Sequence, residues 1–231
     1  GREMERVTEQ LQQEINKVVL GKEDIVRKVL LAILAQGHVL LEDVPGVGKT
    51  TLAKAFSKTL GLTSRRIQFT PDTMPSDIIG FSVFDKSTGA LKYQPGAIMT
   101  NLVLADEINR TSSKTQSALL EAMEEMQVTV DGVTHPLPAP FVVLATQNPV
   151  GSAGTQMLPP SQMDRFLIKL SMGYPDRAST AALLKDRHHA DPLDVCRTVT
   201  DPASLEKSIG EAMSVFVADR IYDYIAELVE A

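Results

Sequence analysis

Residues Leu40 to Thr51 read LLEDVPGVGKTT, and the reading of this stretch decides the fold. The phosphate-loop pattern GxxxxGK[ST] fits Gly48, Lys49 and Thr50, while Asp43 holds the place of the first glycine. Such a loop surrounds phosphates with successive backbone N–H groups, adds the positive end of a helix dipole, and supplies a lysine for the β and γ phosphates. A hydroxyl at its end can hold Mg²⁺. Gly46, Gly48, Lys49 and Thr50 provide those parts, and Pro45, Val47 and Thr51 complete the candidate loop. The first glycine serves the turn out of the strand, where positive φ is required, and aspartate is among the few residues that tolerate it. For the loop alone, an ordinary glycine-containing helix start stays open as the alternative.

The flanks supply the order that the loop demands. His38 to Leu41 is a short apolar run expected as a buried strand, and Leu52, Ala53, Phe56 and Leu60 recur at helical spacing until Gly61. The order is therefore strand, glycine loop, helix. Upstream, Val7, Leu11, Ile15 and Val18 mark an amphipathic helix over 4–18, Gly21 breaks it, and 24–35 reads as a second, more apolar helix. Downstream, Leu102 to Ala105 and Phe141 to Ala145 are apolar runs without alternation, which suits strands buried on both faces of a parallel sheet. A helix over 113–126 is expected to turn Leu119, Leu120, Met123 and Met126 inward, with Glu121, Glu124 and Glu125 solvated. Two hairpins interrupt the pattern. Val128 to Thr134 turns on Asp131-Gly132, a pair favoured in the type I′ turn, and Phe81 to Tyr93 turns near 86–89. A boundary is expected at Tyr174-Pro175-Asp176, with helices over 178–188, 204–213 and 215–231 beyond it.

Ligand chemistry in such a fold gathers at the carboxyl ends of the strands. One of the two apolar strands ends in Asp106-Glu107 and the other in Thr146-Gln147-Asn148. Asp106 suits support of Mg²⁺, and Glu107 can accept the proton of an attacking water. An acidic pair after a strand is commonly the start of a solvated loop, but this pair lies downstream of a phosphate loop, on a separate strand. Asn148 could orient the water, or could simply cap the loop.

Composition bounds the rest. At 231 residues the chain suits one large α/β domain or a domain with a small appendage. Its longest unbroken apolar run, Val29 to Ala35, is far shorter than the ~20 residues of a membrane-spanning helix, so no membrane insertion is expected. The single cysteine, Cys196, excludes an internal disulfide and fits a reducing compartment, hence a cytoplasmic location. His38, His135, His188 and His189 lack zinc spacing and are read as structural or solvated. A formal charge of −6 argues against non-specific nucleic-acid binding as the main activity.

The order of LLEDVPGVGKTT, LVLADEINR, LLEAMEEMQVTVDG, VVLATQNP and SQMDRF resembles the MoxR group of AAA+ ATPases, over about 18–176. The resemblance implies an α/β fold: a three-layer α/β/α P-loop core with a parallel sheet, two β-hairpin insertions and a partial helical lid. It divides the chain into a nucleotide-binding core over 1–175 and part of a C-terminal lid over 176–231. It implies ATP and Mg²⁺ as cofactors, with Lys49 and Thr50 as Walker A residues, Asp106 and Glu107 as Walker B, Asn148 as sensor 1 and Arg165 as the arginine finger. Thr50 and Asp106 would hold the metal, and Val19, Leu20 and Gly21 would lie near the adenine. From the residues alone, two readings of Arg165 stay open: a finger for a neighbouring subunit, or a helix-surface arginine with a local partner. Arg110 is expected near the subunit interface. Pro160 stands where the family usually has glutamate.

The resemblance further implies a homo-oligomeric ring, a hexamer when the lid is complete, and partners among von Willebrand A domain proteins and client complexes. The expected activity is a chaperone-like motor that remodels or assembles client complexes or matures metal-cofactor enzymes. A magnesium-chelatase-like ATPase subunit is a rival within the class. A DNA-acting ring motor would need basic hairpin tips, and Asp131-Gly132 is acidic while Lys86 is isolated. A non-hydrolysing scaffold would need Glu107 lost, and it is present. MoxR proteins continue into further lid helices with a GASPR-like segment that carries the sensor 2 arginine, and no such segment occurs here. The apolar face of 215–231 and the glycine ahead of Met4 add to the expectation of a shortened ATPase with reduced activity.

Overall fold

The computed structural model describes residues 2–42, 48–147, 158, 162, 164–166, 168–171, 191–215 and 225–229. In chain order the elements begin with α1 (Arg2–Asn16), α2 (Glu23–Leu34), β1 (Val39–Glu42), α3 (Lys49–Leu60), β2 (Ser64–Gln68) and α4 (Pro75–Ile79). They continue with the hairpin strands β3 (Gly80–Asp85) and β4 (Ala90–Pro95), then β5 (Leu102–Asp106) and α5 (Ser113–Glu125). A second hairpin, β6 (Gln127–Val130) and β7 (Val133–Pro136), precedes β8 (Val142–Gln147), β9 (Ile168–Ser171) and α6 (Pro202–Val215).

Five strands form a parallel sheet in the order β2-β5-β8-β1-β9. Every residue of β5 and β8 is buried, which is why their sequences show no polar alternation. Alternate residues feed two cores on opposite faces. Val39, Leu41, Leu102, Leu104, Val142 and Leu144 join α1, α2 and α3 on one side. Leu40, Val103, Ala105, Val143 and Ala145 join α5 on the other. The sheet therefore lies between helical layers, as expected. Cys196, Leu205, Ile209 and Leu228, from the region expected to form the lid, belong to the first of these cores.

Local chemistry explains the punctuation. Gly61 ends α3 in the left-handed region at φ 66°, and a side chain there would run into the Thr200 carbonyl. Asp131 and Gly132 both take positive φ, 50° and 77°, as a type I′ hairpin requires. Met126 departs from expectation. It is the left-handed cap of α5 at φ 56° and is 37% exposed, so the inward stripe of that helix ends at Met123. The final turn of a helix cannot keep the register of its stripe once the backbone leaves αR. The strand expected over 38–41 runs one residue later, and His38 stands just before the sheet's amino end. Its Nε2 donates to the Met123 carbonyl at 3.1 Å and its Nδ1 accepts from the Val143 N–H at 3.0 Å. The boundary at 174–176, the helix over 178–188 and Pro160 lie outside the described residues.

Candidate nucleotide site at the carboxyl ends of β1, β5 and β8

The parallel register brings the ends of the central strands to one level. Glu42 pairs with Gln147, Ala105 with Ala145, and Gln68 with Asp106. At that level α3 starts. Its N-cap, Gly48, is in the left-handed region at φ 50° and ψ 16° and gives the helix no side-chain cap. The first-turn N–H groups of this 12-residue helix thus lie at the carboxyl end of the sheet, where a helix start favours anions. Lys49 is the first residue of α3, and Thr50 and Thr51 follow, half-buried.

Asp106, whose side chain is 3% exposed, is the centre of the site. Its Oδ1 accepts from the Thr146 hydroxyl at 2.6 Å and from Lys49 Nζ at 3.2 Å. Its Oδ2 accepts from an Arg66 guanidinium nitrogen at 2.6 Å. Burial pushes the carboxyl pKa up, but the Thr146 hydroxyl, Arg66 and Lys49 outweigh it and hold Asp106 below the usual carboxylate range. The carboxylate is therefore ionised and doubly countered.

Glu107 leaves β5 in the left-handed region, φ 59° and ψ 50°, where a non-glycine residue is uncommon. Its backbone N–H donates to Thr146 Oγ1 at 2.9 Å. One buried hydroxyl thus ties both acids together, donating to Asp106 and accepting from Glu107. The turn sends the Glu107 side chain toward Arg110, which donates to Oε2 at 2.9 Å.

Lys49, Asp106 and Glu107 are thus brought together. Val19 is 9% exposed and packs in the core beside α2 and α3, and Gly21 takes positive φ at 72° in the turn after α1. Arg165 bonds Glu124 Oε2 on the exposed face of α5 at 3.0 Å. Pro45, Gly46, Val47 and Asn148 lie outside the described residues. Sequence reasoning missed Thr146 and Arg66. A hydroxyl near the end of an otherwise apolar strand was the available signal for Thr146. Arg66 gave none, because β2 is a polar edge strand with only Ile67 buried.

The donor set fits a magnesium nucleotide. No group of three or more His, Cys, Asp or Glu among the described residues could hold a metal by itself. One buried carboxylate with a hydroxyl in the first turn of α3 suits Mg²⁺ when phosphate oxygens and waters complete its shell. Among the described residues, no helix is long and apolar enough to cross a membrane.

A parallel sheet in this order, with a glycine loop and lysine after β1 and an acid pair after β5, defines a P-loop α/β protein of the AAA+ class. A family model described as "ATPase family associated with various cellular activities (AAA)" matches residues 38–168. YeaC of Bacillus subtilis, described as uncharacterized, is 51% identical over 216 residues, covering 94% of this chain and 68% of that protein. Chaperone MoxR1 of Mycobacterium tuberculosis is 38% identical over 218 residues, covering 94% of this chain and 57% of that protein. A crystal structure of a proposed ATPase from Cytophaga hutchinsonii matches with a TM-score of 0.81 at 38% identity, over 90% of this chain and 63% of that one. The chain belongs to the MoxR group of AAA+ ATPases. It spans less than two thirds of the mycobacterial relative and of the matched crystal chain.

Proposed function

We propose that this chain is the ATP-binding and ATP-hydrolysing part of a chaperone-like motor. The observation that carries the reading is the shared hydroxyl of Thr146, which joins Asp106 and Glu107 within reach of Lys49. Lys49 and the start of α3 bind the phosphates, and Thr50 and Asp106 hold Mg²⁺. The bound cation neutralises charge on the phosphates. Glu107 accepts the proton of the attacking water, and its anchored backbone fixes where that carboxylate can reach. The Arg110 contact holds the Glu107 side chain in place until the water arrives. Asn148 orients that water, and Val19 and Gly21 border the adenine.

Arg165 completes the site of a neighbouring subunit in a homo-oligomeric ring, exchanging Glu124 for phosphate. The exposed pair with Glu124 is weak enough to exchange. The 1–175 region is the nucleotide-binding core, and 176–231 is part of the C-terminal lid. The work is done on client protein complexes, with von Willebrand A domain proteins as partners and the cytoplasm as location. The mycobacterial relative's description as a chaperone supports this reading over that of a metal-chelatase subunit.

Calorimetric titration with ATP and Mg²⁺ tests the assignment. Lys49→Ala is expected to lose nearly all binding, because it removes the one side-chain cation that reaches the phosphates from the loop. Equal affinity in wild type and variant would overturn the site.

A further inference from the structure

We infer that Arg66 is a guanidinium placeholder for the metal: it neutralises Asp106 while no magnesium nucleotide is bound and gives up Asp106 Oδ2 when the cation arrives. The inference rests on the nucleotide reading above and assigns a positioning role to a residue that reading leaves unused.

The argument starts from the cost of a bare charge. A carboxylate as buried as Asp106 is strongly unfavourable unless countered. Three groups reach it, and they differ in how easily they can leave. Thr146 is fully buried and its oxygen also accepts from the Glu107 N–H, so releasing Asp106 would disturb both acids. Lys49 is 13% exposed and sits in the first turn of α3, where its task is the phosphates. Arg66 is 51% exposed, on the edge strand of the sheet, and can turn into water at little cost.

Arg66 also blocks the oxygen that matters. Oδ1 is shared by Thr146 and Lys49, while Oδ2 carries only the Arg66 contact among the described hydrogen bonds. Guanidinium cannot lose its proton, so a cation at Oδ2 must displace it rather than titrate it. The same Arg66 nitrogen donates to Gln68 Oε1 at 3.1 Å, on the same face of β2, which holds the guanidinium in place while the metal is absent. The two cations keep the carboxylate countered until nucleotide draws Lys49 to the phosphates and Mg²⁺ takes the place of Arg66.

The test is nucleotide affinity measured against Mg²⁺ concentration, from chelator-treated to saturating, for wild type, Arg66→Gln and Arg66→Lys. ADP serves as ligand, so that turnover plays no part. Arg66→Gln removes the competing charge and is expected to reach half its magnesium-dependent gain in affinity at about fivefold lower Mg²⁺, the scale of a partly exposed ion pair. Affinity in chelator is expected to change little. Arg66→Lys keeps the charge and is expected to stay near wild type, and Arg66→Ala, which also removes the charge, carries the test if the glutamine variant fails to fold. An unchanged or higher magnesium requirement in Arg66→Gln, or a lysine variant that shifts as far as the glutamine, would overturn the inference while leaving nucleotide binding intact. A wild-type protein that binds no ADP at any Mg²⁺ would overturn the nucleotide reading, and the placeholder role with it.

Discussion

Asp106 and His38 lie at opposite ends of the same sheet, both buried, and the protein treats them in opposite ways. Asp106, at the carboxyl end of β5, keeps its charge because two cations and a hydroxyl face it. His38, before the amino end of β1, gives up its charge. Burial pushes its pKa down to about 4, against a partial opposing effect of the Met123 carbonyl, and its ring links α5 to β8 as a neutral donor and acceptor. Phe141 packs edge-on against that ring, with centroids 5.8 Å apart. A buried ionised group surrounded by movable cations is poised to exchange partners; a buried neutral group between two backbone atoms is a clamp.

The largest effect that would sharpen this contrast is on turnover. Glu107→Gln is expected to lower ATP hydrolysis on the order of 10²- to 10⁴-fold while retaining ATP, because the base is lost and the phosphate contacts are not. A variant that loses binding and turnover together, in a nucleotide titration beside a phosphate-release assay, would place Glu107 in binding instead.

Acid is the next lever. The folded pKa of His38 is depressed from 6.5 to about 4, so the unfolded chain binds the proton first. The stability that the neutral ring contributes is present above pH 6.5 and is lost as pH falls toward 4, a change of about 3 kcal/mol. Asp106 acts in a lower window. Its depressed carboxyl contributes stability above its ordinary value of 3.8, lost only as pH falls further. His38→Leu is expected to flatten the upper window in denaturant titrations at several pH values. At neutral pH it is expected to cost about 2–4 kcal/mol, by orphaning the Met123 carbonyl and the Val143 N–H. A variant with the wild-type slope between pH 6.5 and 4 would remove His38 from this role.

Thr146→Val is expected to cost about 1–3 kcal/mol, because it strips a bond from Asp106 and orphans the Glu107 N–H. Urea midpoints measure the loss, and a neutral result would mean that water takes over the hydroxyl's bonds. The smallest effect belongs to the surface. Arg165→Ala is expected to change stability by no more than about 0.5 kcal/mol, since its pair with Glu124 is exposed. A larger loss would make Arg165 a structural residue of this chain and weaken its proposed use by a neighbour.

Legibility followed burial. Strands β5 and β8 announce themselves because both their faces are covered, and the β6–β7 hairpin because only certain residues accept two positive φ values in succession. Strand β2 did not, since four of its five residues are exposed and its place is set by hydrogen bonding to β5. Met126 was read inward because helical periodicity carries no information about where the backbone turns left-handed. Strand β9 went unread because four residues of alternating burial are too few to stand out from a loop.

What the sequence by itself determined is the order of parts: strand, glycine loop and lysine, then a buried strand ending in two acids, with hairpins between. Those are local facts, written in spacing, apolar runs and turn residues. What only the tertiary structure decided is which oxygen of Asp106 meets which partner. Arg66 and Thr146 lie 40 residues away on either side of Asp106 and reach it through the parallel register of β2, β5 and β8. No local pattern encodes that meeting, because strand order is settled by burying two faces of a sheet at once, and the polar ends follow wherever the apolar middles pack.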